Sequence, residues 1–177
     1  MKLNQILKSI LETSEKENDE AHIEAREKTG FWGKKGAGAV VLALDTGKLL
    51  IAHRGAKVEE PHTWGGWGGA IDEGEDPEEG ARREVQEEMG KIDIKEVVPL
   101  FVFKDKKSSF KYYNFLFVVE EEFKPKKLKK SGWENEGHKW VKFGDWPKPV
   151  HFGLKKLMND AASVKKIKDL IPDETDS

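Results

Sequence analysis

Residues 69–90 read GAIDEGEDPEEGARREVQEEMG, and this stretch decides the fold because it spells out a helix with both of its ends. Asp76 is an N-cap, Pro77 suits the first helical position, Glu79 completes a capping box, and Gly90 is a C-terminal stop. Along the helix Ala81, Val85 and Met89 make an apolar stripe, while Glu84, Glu87 and Glu88 fall at i, i+3 and i+4 on one face. Like charges at that spacing cost a helix about 0.2–0.5 kcal/mol per pair. A divalent cation would offset the cost, and a hard cation such as Mg²⁺ takes oxygen ligands. From the clustering alone, a cation-binding face and an exposed acidic helix stand as equal readings.

Upstream, Ala39–Leu44 is wholly apolar, Asp45-Thr46-Gly47 is turn chemistry, and Lys48–His53 returns as a second strand, which predicts a hairpin. Downstream, Val97–Phe103 and Tyr112–Val119 are strand candidates and Lys139–Phe143 a short last strand. After Pro149, the spacing of Phe152, Leu154, Leu157 and Met158 predicts a helix that Val164, Ile167, Leu170 and Ile171 continue or restart, ending at Pro172. Strands interleaved with helices give an α/β fold. Met1–Leu11 has helical apolar spacing, so residues 1–30 are expected to be a helical extension, 31–172 one domain, and 173–177 a disordered acidic tail.

Composition narrows the chemistry. The chain has 177 residues, with 31 Lys+Arg against 33 Asp+Glu for a net charge of −2, which opposes nucleic-acid binding driven by bulk charge. The Lys-rich segments Lys104–Lys107 and Phe123–Lys130 read as solvated loops. With no Cys, disulfides, thiolate metal sites and a cysteine nucleophile are excluded. His53, His62, His138 and His151 do not form a spaced ligand set. No stretch is long and apolar enough for a membrane span, and the N-terminus lacks a signal-peptide pattern, so a cytoplasmic protein is expected.

Taken with its spacing, the stretch resembles the Nudix box of the Nudix hydrolase superfamily. The pattern's fixed positions are Gly69, Glu75, Arg83-Glu84-Val85, Glu87-Glu88 and Gly90. Lys91 departs from the aliphatic residue that pattern expects next, and Trp67 stands before Gly68-Gly69 where the family often has Pro. The resemblance covers about an eighth of the chain. It implies a mixed β-sheet sandwiched between helices. It also implies Mg²⁺- or Mn²⁺-dependent hydrolysis of a pyrophosphate bond in a nucleoside diphosphate linked to another moiety. The substrate is then a small nucleotide: a nucleoside triphosphate, dinucleoside polyphosphate or nucleotide sugar.

By the same resemblance Glu84 and Glu88 are the principal metal ligands, and Glu87 is a further ligand or proton acceptor. Arg83 orients the box glutamates with Glu75 as its partner, and Gly69 lets the backbone approach metal or phosphate. One more catalytic carboxylate is expected from the loop Ser131–His138, with Glu134 favoured over Glu136. Arg54 is a candidate phosphate ligand, and Trp32, Trp64 and Trp67 are candidates for stacking on a base. Positions that separate substrate subgroups fall on Lys106–Ser109, which carry neither of the expected signposts. Two other readings are a non-catalytic nucleotide sensor of the same fold, opposed by the intact carboxylates, and an RNA 5′-end pyrophosphohydrolase. Met1–Leu11 is a candidate homodimer helix.

Overall fold

The structure, a computed structural model, describes residues 5, 33–126 and 134–173. The expected extension (apart from Gln5), Trp32, homodimer contacts through Met1–Leu11 and the tail beyond residue 173 lie outside the described residues.

Among the described residues seven strands form one mixed sheet: β1 (Lys35–Ala43), β2 (Leu49–Arg54), β3 (Trp64–Gly65), β4 (Trp67–Ala70), β5 (Glu96–Lys104), β6 (Lys111–Val119) and β7 (Asn135–Val141). Three complete helices lie among the described residues: α1 (Pro77–Met89), α2 (Phe152–Met158) and α3 (Ala161–Leu170). The main path runs β3-β2-β1-β6-β5, with β4 on β1 and β7 on β2. β1 is parallel to β6 along its whole length and is buried on both faces, which explains its unbroken apolar run.

The two faces carry two cores. Ala37, Ala39, Val41, Phe115 and Phe117 meet Ala81, Val85 and Met89 of α1, so the stripe read from the sequence is the buried side of that helix. Val41, Val85, Met89, Phe115 and Phe117 each contribute about 1.5–3 kcal/mol by burial, and each alanine methyl about 0.8 kcal/mol. On the other face Val40, Leu42, Leu116 and Val118 meet Leu154, Leu157 and Ile167. The sheet is therefore held between helices, as expected.

The ends of α1 follow its capping residues. Asp76 accepts from the N–H groups of Glu78 and Glu79, and Glu79 accepts from Asp76 N–H. Gly90 ends the helix at φ 86°, with its N–H donating to Gln86. The second helical pattern is two helices, since Asp160 caps a new one through Ser163 N–H.

Some expectations need correction. The hairpin forms, but β1 starts at Lys35, because its first half pairs with β4, an element not read from the sequence. β1 thus pairs with β2 only at Val41 and Leu42, and with Gly68 and Gly69 of β4 over Gly38 and Ala37. The last strand starts at Asn135 and not Lys139, so Glu136 lies on a strand and not on a loop.

Candidate active site

The splaying of β1 away from β2 carries Gly68 and Gly69 beneath one face of α1. Arg83 organises that face. Its Nε and Nη2 donate to the two oxygens of Glu75 at 2.9 and 3.1 Å, and Nη2 also donates to Ala70 O at 2.8 Å. Nη1 donates to Glu84 Oε1 at 3.0 Å and lies 3.4 Å from Glu87. Glu75 is anchored in turn by Asp72 N–H. One guanidinium thus joins the loop, strand β4 and two of the helix carboxylates, a fork that a Lys ammonium does not reproduce. Burial pulls the Arg83 pKa down, but Glu75, Glu84 and Asp72 outweigh it and hold the group above its ordinary value.

Glu88 has different partners. Its Oε2 accepts from Gly68 N–H and its Oε1 from Asn135 Nδ2, both at 2.8 Å. Burial, with the charges of Glu84 and Glu134 adding to it, pushes the Glu88 carboxyl up to about 8 against the pull of those two donors. Burial likewise pushes Glu84 up to about 7, with Arg83 opposing and Glu87 adding. Glu134 is raised by burial and by Glu87, while Arg54 opposes. Four carboxylates, Glu84, Glu87, Glu88 and Glu134, therefore share one field.

This donor set fits a hard divalent cation. All of it is carboxylate oxygen, and the neighbouring carboxylate charges, which add to burial in raising Glu84 and Glu88, are what a cation would relieve. Among the described residues no three acidic or His side chains already converge as a cage, because Glu84 is held by Arg83 and Glu88 by Gly68 and Asn135.

Beside this face lies a cavity of about 190 Å³ between the sheet and α2, lined on its apolar side by Phe103, Phe110, Phe152 and Leu157. Tyr112, Asn114, Arg54, Glu59 and His151 are its polar lining residues, and Gly68 and Gly69 line the end nearest the carboxylates. His151 caps α2, its Nδ1 accepting from Gly153 N–H. Burial and the Arg54 charge, opposed by Glu60, push the His151 pKa down to about 4. Burial, with Glu88 and Glu84 adding and Arg54 opposing, holds the Tyr112 phenol above its ordinary range.

Several residues named from the sequence are placed elsewhere. Trp67 is among the residues lining the cavity, but it is 2% exposed and its indole donates to Leu50 O, so most of its side chain is packed in the core. Trp64 stacks on the His53 ring at 4.5 Å between centroids and is not among the residues lining the cavity. Glu136 lies 2.9 Å from His62 Nδ1 and 3.5 Å from His53 Nδ1. Its carboxylate is thus engaged by two imidazoles. Arg54 lines the cavity, with Nε and Nη2 donating to Glu59 O.

Asn135 and Tyr112 were missed. Nothing local marks Asn135. The signal for Tyr112 was Gly36 and Gly38, two residues apart in a strand pattern, which announces a close approach from a neighbour.

Comparison with known proteins agrees with this architecture. Residues 34–161 match the family model described as NUDIX domain. Among solved structures, a MutT NUDIX hydrolase from Burkholderia pseudomallei is 22% identical with a TM-score of 0.58, over 73% of this chain and 98% of the other. The Nudix hydrolase RenU from M. smegmatis is 20% identical with a TM-score of 0.59, over 82% and 92%. The NUDIX domain of Shewanella oneidensis NrtR, solved with ADP ribose, is 17% identical with a TM-score of 0.57, over 75% and 86%.

Proposed function

Since the chain belongs to the NUDIX domain family and is an enzyme of the Nudix pyrophosphohydrolase type, we propose that it hydrolyses a phosphoanhydride bond in a nucleoside diphosphate linked to another moiety, using Mg²⁺ or Mn²⁺. The observation that carries this reading is the placement of half-buried Glu84 and Glu88 at Gly68-Gly69, two glycines that also line a cavity rich in aromatic rings. A nucleotide has the matching form: a flat ring for the cavity, and phosphates that reach the carboxylates.

Glu84 and Glu88, with Glu87, are the residues that would hold the cation. A bound divalent cation supplies neutralisation of the phosphate oxygens and a more acidic water. The protein's part is positional. Glu75 fixes Arg83, and Arg83 fixes the direction of Glu84 and Glu87 through Nη1. Gly68 N–H and Asn135 fix Glu88. Glu134, raised by burial and by Glu87, accepts a proton from the attacking water. Arg54 presents a cation to the phosphates at the cavity wall. Phe103 and Phe152, in edge contact at 5.8 Å, offer the apolar surface for the ring. The ADP ribose bound by the Shewanella domain is a molecule of this class, a nucleoside diphosphate linked to a sugar.

The test is a product-resolved screen of nucleoside triphosphates, dinucleoside polyphosphates and nucleotide sugars, in Mg²⁺ and in Mn²⁺. The reading expects metal-dependent release of a nucleotide product from at least one class. No turnover of any class under either metal contradicts it.

A further inference from the structure

Gly36 and Gly38 on β1 and Gly68 on β4 lie next to one another, Gly38 paired with Gly68 and Gly36 with Tyr112 of β6. All three are overlain by the same side chain. A Cβ on Gly36 would stand 2.6 Å from Tyr112 Cδ2, one on Gly38 would stand 2.2 Å from the Tyr112 hydroxyl oxygen, and one on Gly68 would stand 2.7 Å from that oxygen. None of these spaces admits a side chain. The glycines form a floor on which the phenol lies, its ring over Gly36 and its hydroxyl over Gly38 and Gly68.

The floor delivers the hydroxyl to a definite place. Tyr112 lines the cavity, and the Glu88, Glu84 and Arg54 charges all act on its phenol. It therefore stands where the ring cavity meets the carboxylate face. Yet the hydroxyl makes no hydrogen bond to any described residue. Gly68 N–H beside it is already given to Glu88, and the Asn114 amide, also in the cavity wall, donates to Phe101 O. A Phe ring would cover the same glycine floor, so the hydroxyl adds nothing to that packing. Among the described residues, the packing of the ring makes no use of this oxygen.

We propose that the Tyr112 hydroxyl is a substrate-binding group that donates a hydrogen bond to an oxygen of the phosphate next to the nucleoside. The inference rests on the reading above, that the ring enters the cavity and the phosphates reach Glu84 and Glu88. Between those ends lies the phosphate nearest the sugar, whose oxygens accept hydrogen bonds and cannot donate. A neutral phenol suits the position, because it gives a donor without adding a charge beside Glu88.

The experiment is Tyr112→Phe, read three ways. Thermal unfolding is expected at the wild-type midpoint or above it, since the ring still covers the floor. With the substrate found in the screen, kcat/KM is expected to fall about 10- to 100-fold, the range for a lost hydrogen bond to a charged group. Calorimetric binding of the nucleoside monophosphate product should weaken by a similar factor, while binding of the corresponding nucleoside should not change. Unchanged kcat/KM overturns the inference. So does equal weakening of nucleoside and monophosphate, which would place the contact on sugar or ring, and so does a lowered midpoint that accompanies the lost activity. A wild-type protein that turns over no nucleotide overturns the functional reading and this inference together. Active wild type with an equally active variant overturns only the role of Tyr112.

Discussion

Replacing Gly69 by Ala separates the fold from the chemistry. A Cβ at this position would stand 2.6 Å from Glu84 Oε2 and 2.8 Å from Oε1, whereas ordinary contact begins near 3.4 Å. The carboxylate must therefore retreat by about 0.8 Å, and it is the end of a flexible side chain, so the strand need not move. Two small terms act on stability. Ala in place of Gly at a compatible backbone position gains about 0.4–1 kcal/mol, and a loosened Arg83–Glu84 contact returns a similar amount. The net change should stay within about 1 kcal/mol, a shift of about 2–4 °C in Tm for a chain of this size. Catalysis is less tolerant, since a misplacement near 1 Å costs about 10²-fold. The assay pairs thermal unfolding with steady-state turnover over a range of Mg²⁺. Turnover within threefold of wild type in a normally folded Gly69→Ala protein would refute the reasoning, because it would show that the position of the Glu84 carboxylate does not matter.

Other expectations follow from the same geometry. Glu134→Gln should lower kcat by about 10²-fold at saturating Mg²⁺, whereas Glu136→Gln, which alters only the contact with His53 and His62, should leave kcat within about threefold; steady-state kinetics on the pair would reverse the assignment if the losses were exchanged. Arg83→Lys keeps the charge but cannot join Glu75, Ala70 O and Glu84 at once, so it should reduce turnover more than tenfold, and a variant of wild-type activity would show that the fork is not needed. His151 is held neutral with a pKa near 4 against about 6.5 in the unfolded chain, so the unfolded state takes up more protons between those values. Stability is then lost as pH falls from about 6.5 to about 4, by up to about 3 kcal/mol. Denaturant unfolding should show a smaller loss over that window for His151→Asn, which retains a capping oxygen, and an equal loss would count against the buried neutral imidazole.

The parts of the molecule legible in the sequence are those governed by neighbours in the chain. Asp76, Pro77, Glu79 and Gly90 bound α1 through contacts no more than four residues long, so the helix and its carboxylate face could be written down in advance. What escaped depends on contacts between distant segments. β4 is a four-residue strand rich in Gly, with too little alternation to show that Trp67 turns into the core under Leu50. Asn135 reaches Glu88 across 47 positions. Glu136 was weighed as a loop residue, but pairing of β7 with β2 starts at Asn135 and sets it beside His53. Tyr112 looked like one more aromatic residue in a strand, and only the glycines opposite it distinguish it.

The central claim is that the Glu84 and Glu88 face of α1 drives metal-dependent phosphoanhydride hydrolysis. Its most direct measurement is initial rate against free Mg²⁺ for the wild type, Glu84→Gln and Glu88→Gln, each shown to be folded. The account predicts saturable activation of the wild type and no activity in excess chelator. For both variants it predicts a loss of about 10²-fold or more, because Gln retains the shape but not the charge. Wild-type-like Mg²⁺ activation in both variants, or full wild-type activity in chelator, would contradict it.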